Sequence, residues 1–306
     1  MCSSDLTVES EPLLVGFDYG GTLIKELTFV KTTGQLLYQL GNDKDVLGRI
    51  WALSQLTPRM NDEKTLAADR EAIRKALATA TRDQFWGARF EAVAALNGSR
   101  EEKDVLIAAM KDANPRVRAR AVRSLATTKD PSLAGTYLQL LDDQSYGVVR
   151  AASLALGQTK SPLAYDALVK LISQPSWRDS ILASALDGLA ALGDKRALDF
   201  GFKYFAPGNQ TNVRINSVGL LAAVGKDDPR TYPLISAALT ENVERGTAGA
   251  LAGAEAEALS IIGDERAVTL FQQLAKKPGL SPQMAAVIAR FDARLRERLG
   301  QTKPGP

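Results

Sequence analysis

The sequence predicts an all-α fold, a solenoid of about eight stacked helix pairs, on three observations. Pro115–Ala126, PRVRARAVRSLA, places Val117, Ala121 and Leu125 at i, i+4 and i+8, which is one face of a helix. The same spacing recurs along the chain, because Leu56, Leu96, Leu125, Leu156, Leu189, Leu221 and Leu259 follow one another at intervals of 29 to 40 residues. Four positions before these leucines lie Ala52, Ala92, Ala121, Ala152, Ala185 and Ser217, and seven positions before four of them lie Arg49, Arg89, Arg118 and Arg214. A small residue at a fixed helical site lets the next helix approach closely, and recurrence near 30 residues marks stacked repeats. The composition, 45% hydrophobic but only 6% aromatic, suits packing through alanine and leucine.

The pattern resembles HEAT-type repeats. Helix pairs are expected at 35–41 with 45–56, 63–80 with 83–96, 102–112 with 117–126, and 133–141 with 146–157. The series continues with 163–173 and 179–192, 196–205 and 212–224, 232–239 and 243–262, and 265–276 and 282–299. Asn114 and Pro115 cap one helix, and Pro58, Pro131, Pro162, Pro207-Gly208, Pro229 and Pro278-Gly279 fall where turns are needed. The repeat region is set at 32–300, with a disordered tail at 301–306. Each repeat buries its apolar stripe only against the next, so stacking is expected to give a concave face lined by the second helix of each pair.

Several chemistries are excluded by composition. The 306 residues contain no histidine, which removes histidine zinc sites and histidine-dependent nucleophiles. A single cysteine, Cys2, cannot form an internal disulfide. The net charge of +3 is too mild to imply nucleic acid, and no apolar run reaches the length of a membrane span. A soluble chain of unassigned compartment is expected.

The first residues depart from this pattern. Met1–Leu6 reads as a translated adapter tail, so 1–10 is expected to be non-native or disordered and the chain to be the back end of a longer protein. Over 11–31, Leu13, Val15 and Phe17 alternate, Asp18-Tyr19-Gly20-Gly21 offers a turn, and Leu23, Lys25, Leu27 and Phe29 alternate again. This predicts a β-hairpin, a remnant whose sheet partners are missing.

The stretch 12–56, with Val15-x-Phe17-Asp18, the Leu23–Phe29 alternation, Gln39-Leu40 and Asp45-Val46-x-x-Arg49-x-x-Ala52-x-x-x-Leu56, resembles a domain junction. It is similar to the place where the β-domain meets the C-terminal helical domain in the gluzincin zinc aminopeptidases, the membrane-alanyl-aminopeptidase family. The resemblance implies a parent that removes N-terminal residues from peptides, with zinc and all catalytic residues in a missing upstream domain. It assigns no catalytic, metal or cofactor residue here, since neither HExxH nor the GxMEN-type loop is present. The array would then cover the parent's peptide chamber and contact its catalytic and β-domains, and the chain alone would be inert. The alternative is a free-standing HEAT scaffold that binds a protein partner.

Arg118, Arg150 and Arg214 are the arginines expected to meet substrate or partner, because their helices should line the concave side. The cluster Arg116, Arg118, Arg120 and Arg123 is read first as structural, pairing with turn acids such as Asp112. Glu255 stands where a small residue belongs, and a register slip to Ala254 or Ala256 is the simpler reading than an inward carboxylate. Gly246, Gly249 and Gly253 read as close helix packing inside one helix, and Trp51, Trp86 and Trp177 as packing residues.

Overall fold

The structure is a computed structural model that describes residues 10–24, 28–246 and 249–301. Apart from Ser10 and Gln301, the expected non-native start at 1–10 and the tail at 301–306 lie outside the described residues. The chain divides into two compact units, 1–128 and 129–306.

Unit 1 holds α1 (Thr33–Asn42), α2 (Val46–Asn61), α3 (Ala67–Ala80), α4 (Trp86–Ala95), α5 (Lys103–Ala109) and α6 (Pro115–Ala126). Within it α2 packs on α4 and α4 on α6, forming a layer of second helices, while α1 packs on α3 in the other layer. Unit 2 holds α7 (Ala134–Gln139), α8 (Tyr146–Gln158), α9 (Ala164–Ile172), α10 (Ser180–Leu192) and α11 (Leu198–Phe205). It continues with α12 (Thr211–Val224), α13 (Thr231–Glu244), α14 (Ala250–Ile262), α15 (Glu265–Ala275) and α16 (Pro282–Arg298). Here α8, α10, α12, α14 and α16 pack in succession as the second-helix layer. The fold is all-α, in helix pairs of HEAT type.

The register residues organise both units. Leu56, Leu156, Leu189, Leu221 and Leu259 are completely buried, as are Ala52, Ala92, Ala121, Ala152, Ala185 and Ser217. Helices α8 and α10 approach closely through their backbones. A Cβ on Gly188 would stand 2.6 Å from the Ser153 carbonyl oxygen, and one on Gly157 would strike the carbonyl oxygen of Gly188. Caps set the helix starts. Thr32 and Gln35 form a reciprocal capping box, Asp45 and Asn114 accept N–H groups of the first turn, and Ser281 precedes Pro282 at the start of α16.

Several helix ends shift by a few residues from the sequence expectation, and two differences change the reading. Pro58 lies inside α2 rather than ending it. The last turn is held instead by Arg59, which donates to the Lys31 carbonyl at 2.8 Å and to Thr33 Oγ1 at 3.2 Å. The expected helix over 243–262 is broken: Gly246 has φ +66°, α13 stops at Glu244, and α14 begins only after Gly249. The glycines are therefore a turn followed by a helix start, with only Gly253 inside α14.

Among the described residues there is no strand, so the expected β-hairpin does not form in them. Lys25, Glu26 and Leu27 lie outside the described residues. The Asp18 carboxylate accepts the amides of Thr22 and Leu23, both at 2.9 Å, which removes donors that a cross-strand ladder would need. The segment is strapped to the first helix pair instead. Gly20 N–H donates to Asp45 Oδ2 at 2.8 Å, and Lys31 Nζ donates to the Val15 carbonyl at 2.6 Å and to Gln39 Oε1 at 2.7 Å. Lys31 is only 6% exposed and sits over the Phe29 and Trp51 rings at 4.7 and 5.3 Å. Burial lowers its pKa, against the opposing pull of Asp43. Replacing Lys31 with methionine should release this strap, since hydrogen bonds to a charged group contribute about 1.5–3 kcal/mol. Hydrogen exchange at the amides of Gly20, Thr22 and Leu23 is expected to quicken about tenfold or more, with α4 and α6 unchanged. Unaltered exchange at those three amides would show that Lys31 does not hold the strap.

Candidate interaction surface

The arginines sort by what they touch. In unit 1, Arg49 forks onto Asp83 at 2.7 and 2.9 Å, and its other nitrogen donates to the Asp43 carbonyl. Arg89 repeats the arrangement, forking onto Asp112 at 2.6 and 2.8 Å and donating to the Asp83 carbonyl. Each aspartate also accepts the amide two residues ahead, Phe85 or Asn114, which fixes the turn before the second helix. Burial pushes the Asp83 and Asp112 carboxyls up, but the guanidinium forks and these amides outweigh it and hold both below their usual range. Arg118 donates to the carbonyls of Asp112 and Ala113, so it too binds its own turn. The sequence carried a signal for this ladder that the arginine positions alone did not give. Asp43, Asp83, Asp112 and Asp143 each stand thirteen residues before a register leucine.

In unit 2 the other two expected contact residues are arranged differently. Arg214 donates to the Phe205 carbonyl at 3.0 Å and lies 5.2 Å from the centre of the Phe205 ring. Beside it, Glu255 is completely buried and points inward, so no register slip removes it from the core. Asn242 Nδ2 reaches both of its oxygens, at 3.0 and 2.8 Å. Burial pushes the Glu255 carboxyl up to about 7, against the opposing effects of Asn242 and Arg214. Arg150 is exposed on α8. Its charge pulls against the burial that raises the Asp187 carboxyl on the neighbouring α10.

One turn before Arg150 on the same helix face is Tyr146, 44% exposed, and its hydroxyl accepts the amide of Trp177 at 3.3 Å. Trp177 is not a packing residue, since it is 75% exposed. Its loop is nonetheless tied on every side. Ser180 Oγ donates to the Trp177 carbonyl at 2.6 Å, the Ile181 amide donates to Ser176 Oγ, and Asn212 Nδ2 donates to the Arg178 carbonyl at 3.0 Å. Arg178 and Asp179 both sit in the left-handed region, at φ 50° and 54°. Two consecutive non-glycine residues there store strain of order 1–3 kcal/mol each, which is found where a loop is held for a purpose. The alternation of apolar and polar residues gave no sign of this loop, because strain and exposure are properties of the folded backbone.

Among the described residues, no group of three or more potential metal-ligating side chains converges, and no helix is long and apolar enough to cross a membrane. The fold and surface therefore define a helix-pair array with exposed aromatic and arginine side chains on its second helices.

Comparison with known proteins agrees on the helix-pair fold. The family model described as HEAT repeats matches residues 103–186. A chain from the complex of CpcE and CpcF of phycocyanin lyase from Nostoc sp. aligns with 72% of this chain and 94% of its own, at 17% identity and a TM-score of 0.51. Human deoxyhypusine hydroxylase in complex with glycerol aligns with 88% of this chain and 96% of its own, at 17% identity and a TM-score of 0.36. The Escherichia coli protein YibA aligns with 89% and 99%, at 16% identity and a TM-score of 0.43. No curated sequence matches. These findings overturn the resemblance to the zinc aminopeptidases: the matched family is HEAT repeats, and the chain similar in fold comes from a phycocyanin lyase complex rather than an aminopeptidase. The hairpin that helped to carry the resemblance is a strap on α1 and α2, and the peptidase parent with its zinc domain falls with it.

Proposed function

We propose that this protein is a HEAT-repeat scaffold that binds a protein partner, and that Tyr146, Arg150 and Trp177 form its contact edge in unit 2. The observation that carries the reading is Trp177, a large aromatic side chain exposed on a loop that hydrogen bonds from α8, α10 and α12 hold in place. Binding energy in protein interfaces concentrates in tryptophan, tyrosine and arginine, and a side chain already fixed loses little freedom on docking. The solved chain similar to this one comes from a complex of two proteins, CpcE and CpcF, which accords with a fold suited to a protein partner. Arg150 is the cation placed to meet that partner. Arg118 and Arg214 spend donors on main-chain carbonyls and position their own turns.

A photo-reactive benzoylphenylalanine in place of Trp177, in cells of the source, should cross-link one defined protein. The same group at Leu163, exposed at the start of the first-layer helix α9, should not. Once that partner is purified, Trp177→Ala should weaken its binding about 30-fold, the effect of a hot spot of about 2 kcal/mol. Identical adducts at both positions, or none at 177, would remove the proposed edge.

A further inference from the structure

The second helices of unit 1 carry seven arginines and one carboxylate, Glu91. Arg49 and Arg89 are forked on aspartates, Arg59 and Arg118 donate to carbonyls, and Arg123 is also engaged. Arg116 and Arg120 differ. Neither guanidinium has a hydrogen-bond or ion-pair partner among the described residues, and Arg120 Nε is buried without an acceptor. Both lie over aromatic rings of α4: Arg116 is 5.3 Å from the centre of Trp86, and Arg120 is 5.7 Å from that of Phe90. The two cations are one helical turn apart, and so are the two rings, so the two arginines share one face of α6 with their Cβ atoms about 6 Å apart. Phe85, 39% exposed, lies against Trp86 at 5.6 Å and extends the apolar wall.

A guanidinium lying on an aromatic face keeps its exposed N–H edge free for a planar anion. We infer that this face of α4 and α6 binds an acidic segment of a protein partner. Two of its carboxylates, on alternate residues of an extended segment, would sit on Arg116 and Arg120. Alternate side chains of an extended peptide are about 7 Å apart, which fits the spacing of the two cations. A nucleic-acid backbone is the poorer fit, because only two arginines on the second helices of unit 1 are unengaged and the whole chain carries only +3. The inference rests on the partner-binding reading in taking the occupant to be protein, but it shares no residue with the Trp177 edge.

The test is fluorescence anisotropy on the full chain with three probes. They are a labelled dodecapeptide alternating glutamate with leucine and phenylalanine, its lysine counterpart, and a short oligothymidylate. The acidic peptide should bind saturably, at least about tenfold more tightly than the lysine peptide, and weaken as salt rises. R116Q/R120Q should lose about tenfold or more, while Lys170→Gln, on the first-layer helix α9, changes nothing. The salt response of the unsubstituted chain stands even if the double variant folds poorly. No saturable binding, equal affinity for the lysine peptide, salt-independent binding or tighter binding of oligothymidylate would each overturn the inference. Such a failure with Trp177 cross-links intact leaves partner binding standing, and loss of those cross-links removes the protein occupant as well.

Discussion

Replacing Glu255 with glutamine should stabilise the protein at pH 8 by about 3 kcal/mol and leave it almost unchanged near pH 4.5. A glutamate in the unfolded chain titrates near 4.5, and burial raises the folded value to about 7. The folded state thus holds the proton more tightly than the unfolded state. Stability is full below pH 4.5, declines between 4.5 and 7, and is level above, where a bare carboxylate must stay inside α14. The groups facing it are the Asn242 amide of α13, the Arg214 guanidinium of α12 and the more distant Glu241 carboxylate, and none of them offsets burial. Glutamine keeps a partner for Asn242 and carries no charge. Urea denaturation at pH 5 and pH 8 measures the effect. A residual slope in the variant is expected, because Asp187 is raised by burial in the same direction. If the native and variant proteins lose equal stability between the two pH values, Glu255 is already ionised at pH 5 and the account of its site is wrong.

The second large effect is expected where α8 and α10 touch through backbone. Gly188→Ala should cost about 1–3 kcal/mol and Gly188→Leu more, because the new Cβ would meet the Ser153 carbonyl at 2.6 Å and Leu168 Cδ2 at 2.7 Å. A neighbouring glycine gives the contrast. Gly219 in α12 has nothing within 4 Å of a Cβ, so Gly219→Ala should stabilise by about 0.5–1 kcal/mol through helix propensity alone. Equilibrium denaturation of the two alanine variants decides the matter. A Gly188→Ala protein as stable as Gly219→Ala would mean that the two helices do not meet as described.

The repeat was legible because it is written in side-chain size. Leu125 and Ala121 recur at one spacing, and close packing permits little else at those sites, so the buried register follows from the sequence. The strap was not legible. Leu13, Val15 and Phe17 alternate as a strand would, but Asp18 withdraws the amides of Thr22 and Leu23, and Lys31 buries its amine against Val15. Periodicity records which face is apolar, and it does not record where backbone donors go. The inward Glu255 was hidden for a related reason: its acceptable burial depends on Asn242, thirteen residues away on another helix. The proposed contact edge mixes legible and illegible parts. Arg150 could be placed on its helix from the sequence, whereas the exposure of Trp177 depends on two left-handed residues that nothing in the amino-acid pattern demands.

The paired arginines and aspartates have a consequence for how such a chain can change length. Arg49 and Arg89 each reach forward to the aspartate that opens the next second helix, Asp83 and Asp112. Each module therefore contributes one half of the bond behind it and one half of the bond ahead. Removing residues 83–111 would bring Asp112 to the place of Asp83 and hand it to Arg49, and copying the same stretch would insert a complete donor and acceptor. Whole modules can be gained or lost without stranding a charge at the seam, whereas removing a stretch that holds one member of a pair and not the other strands a guanidinium or a carboxylate.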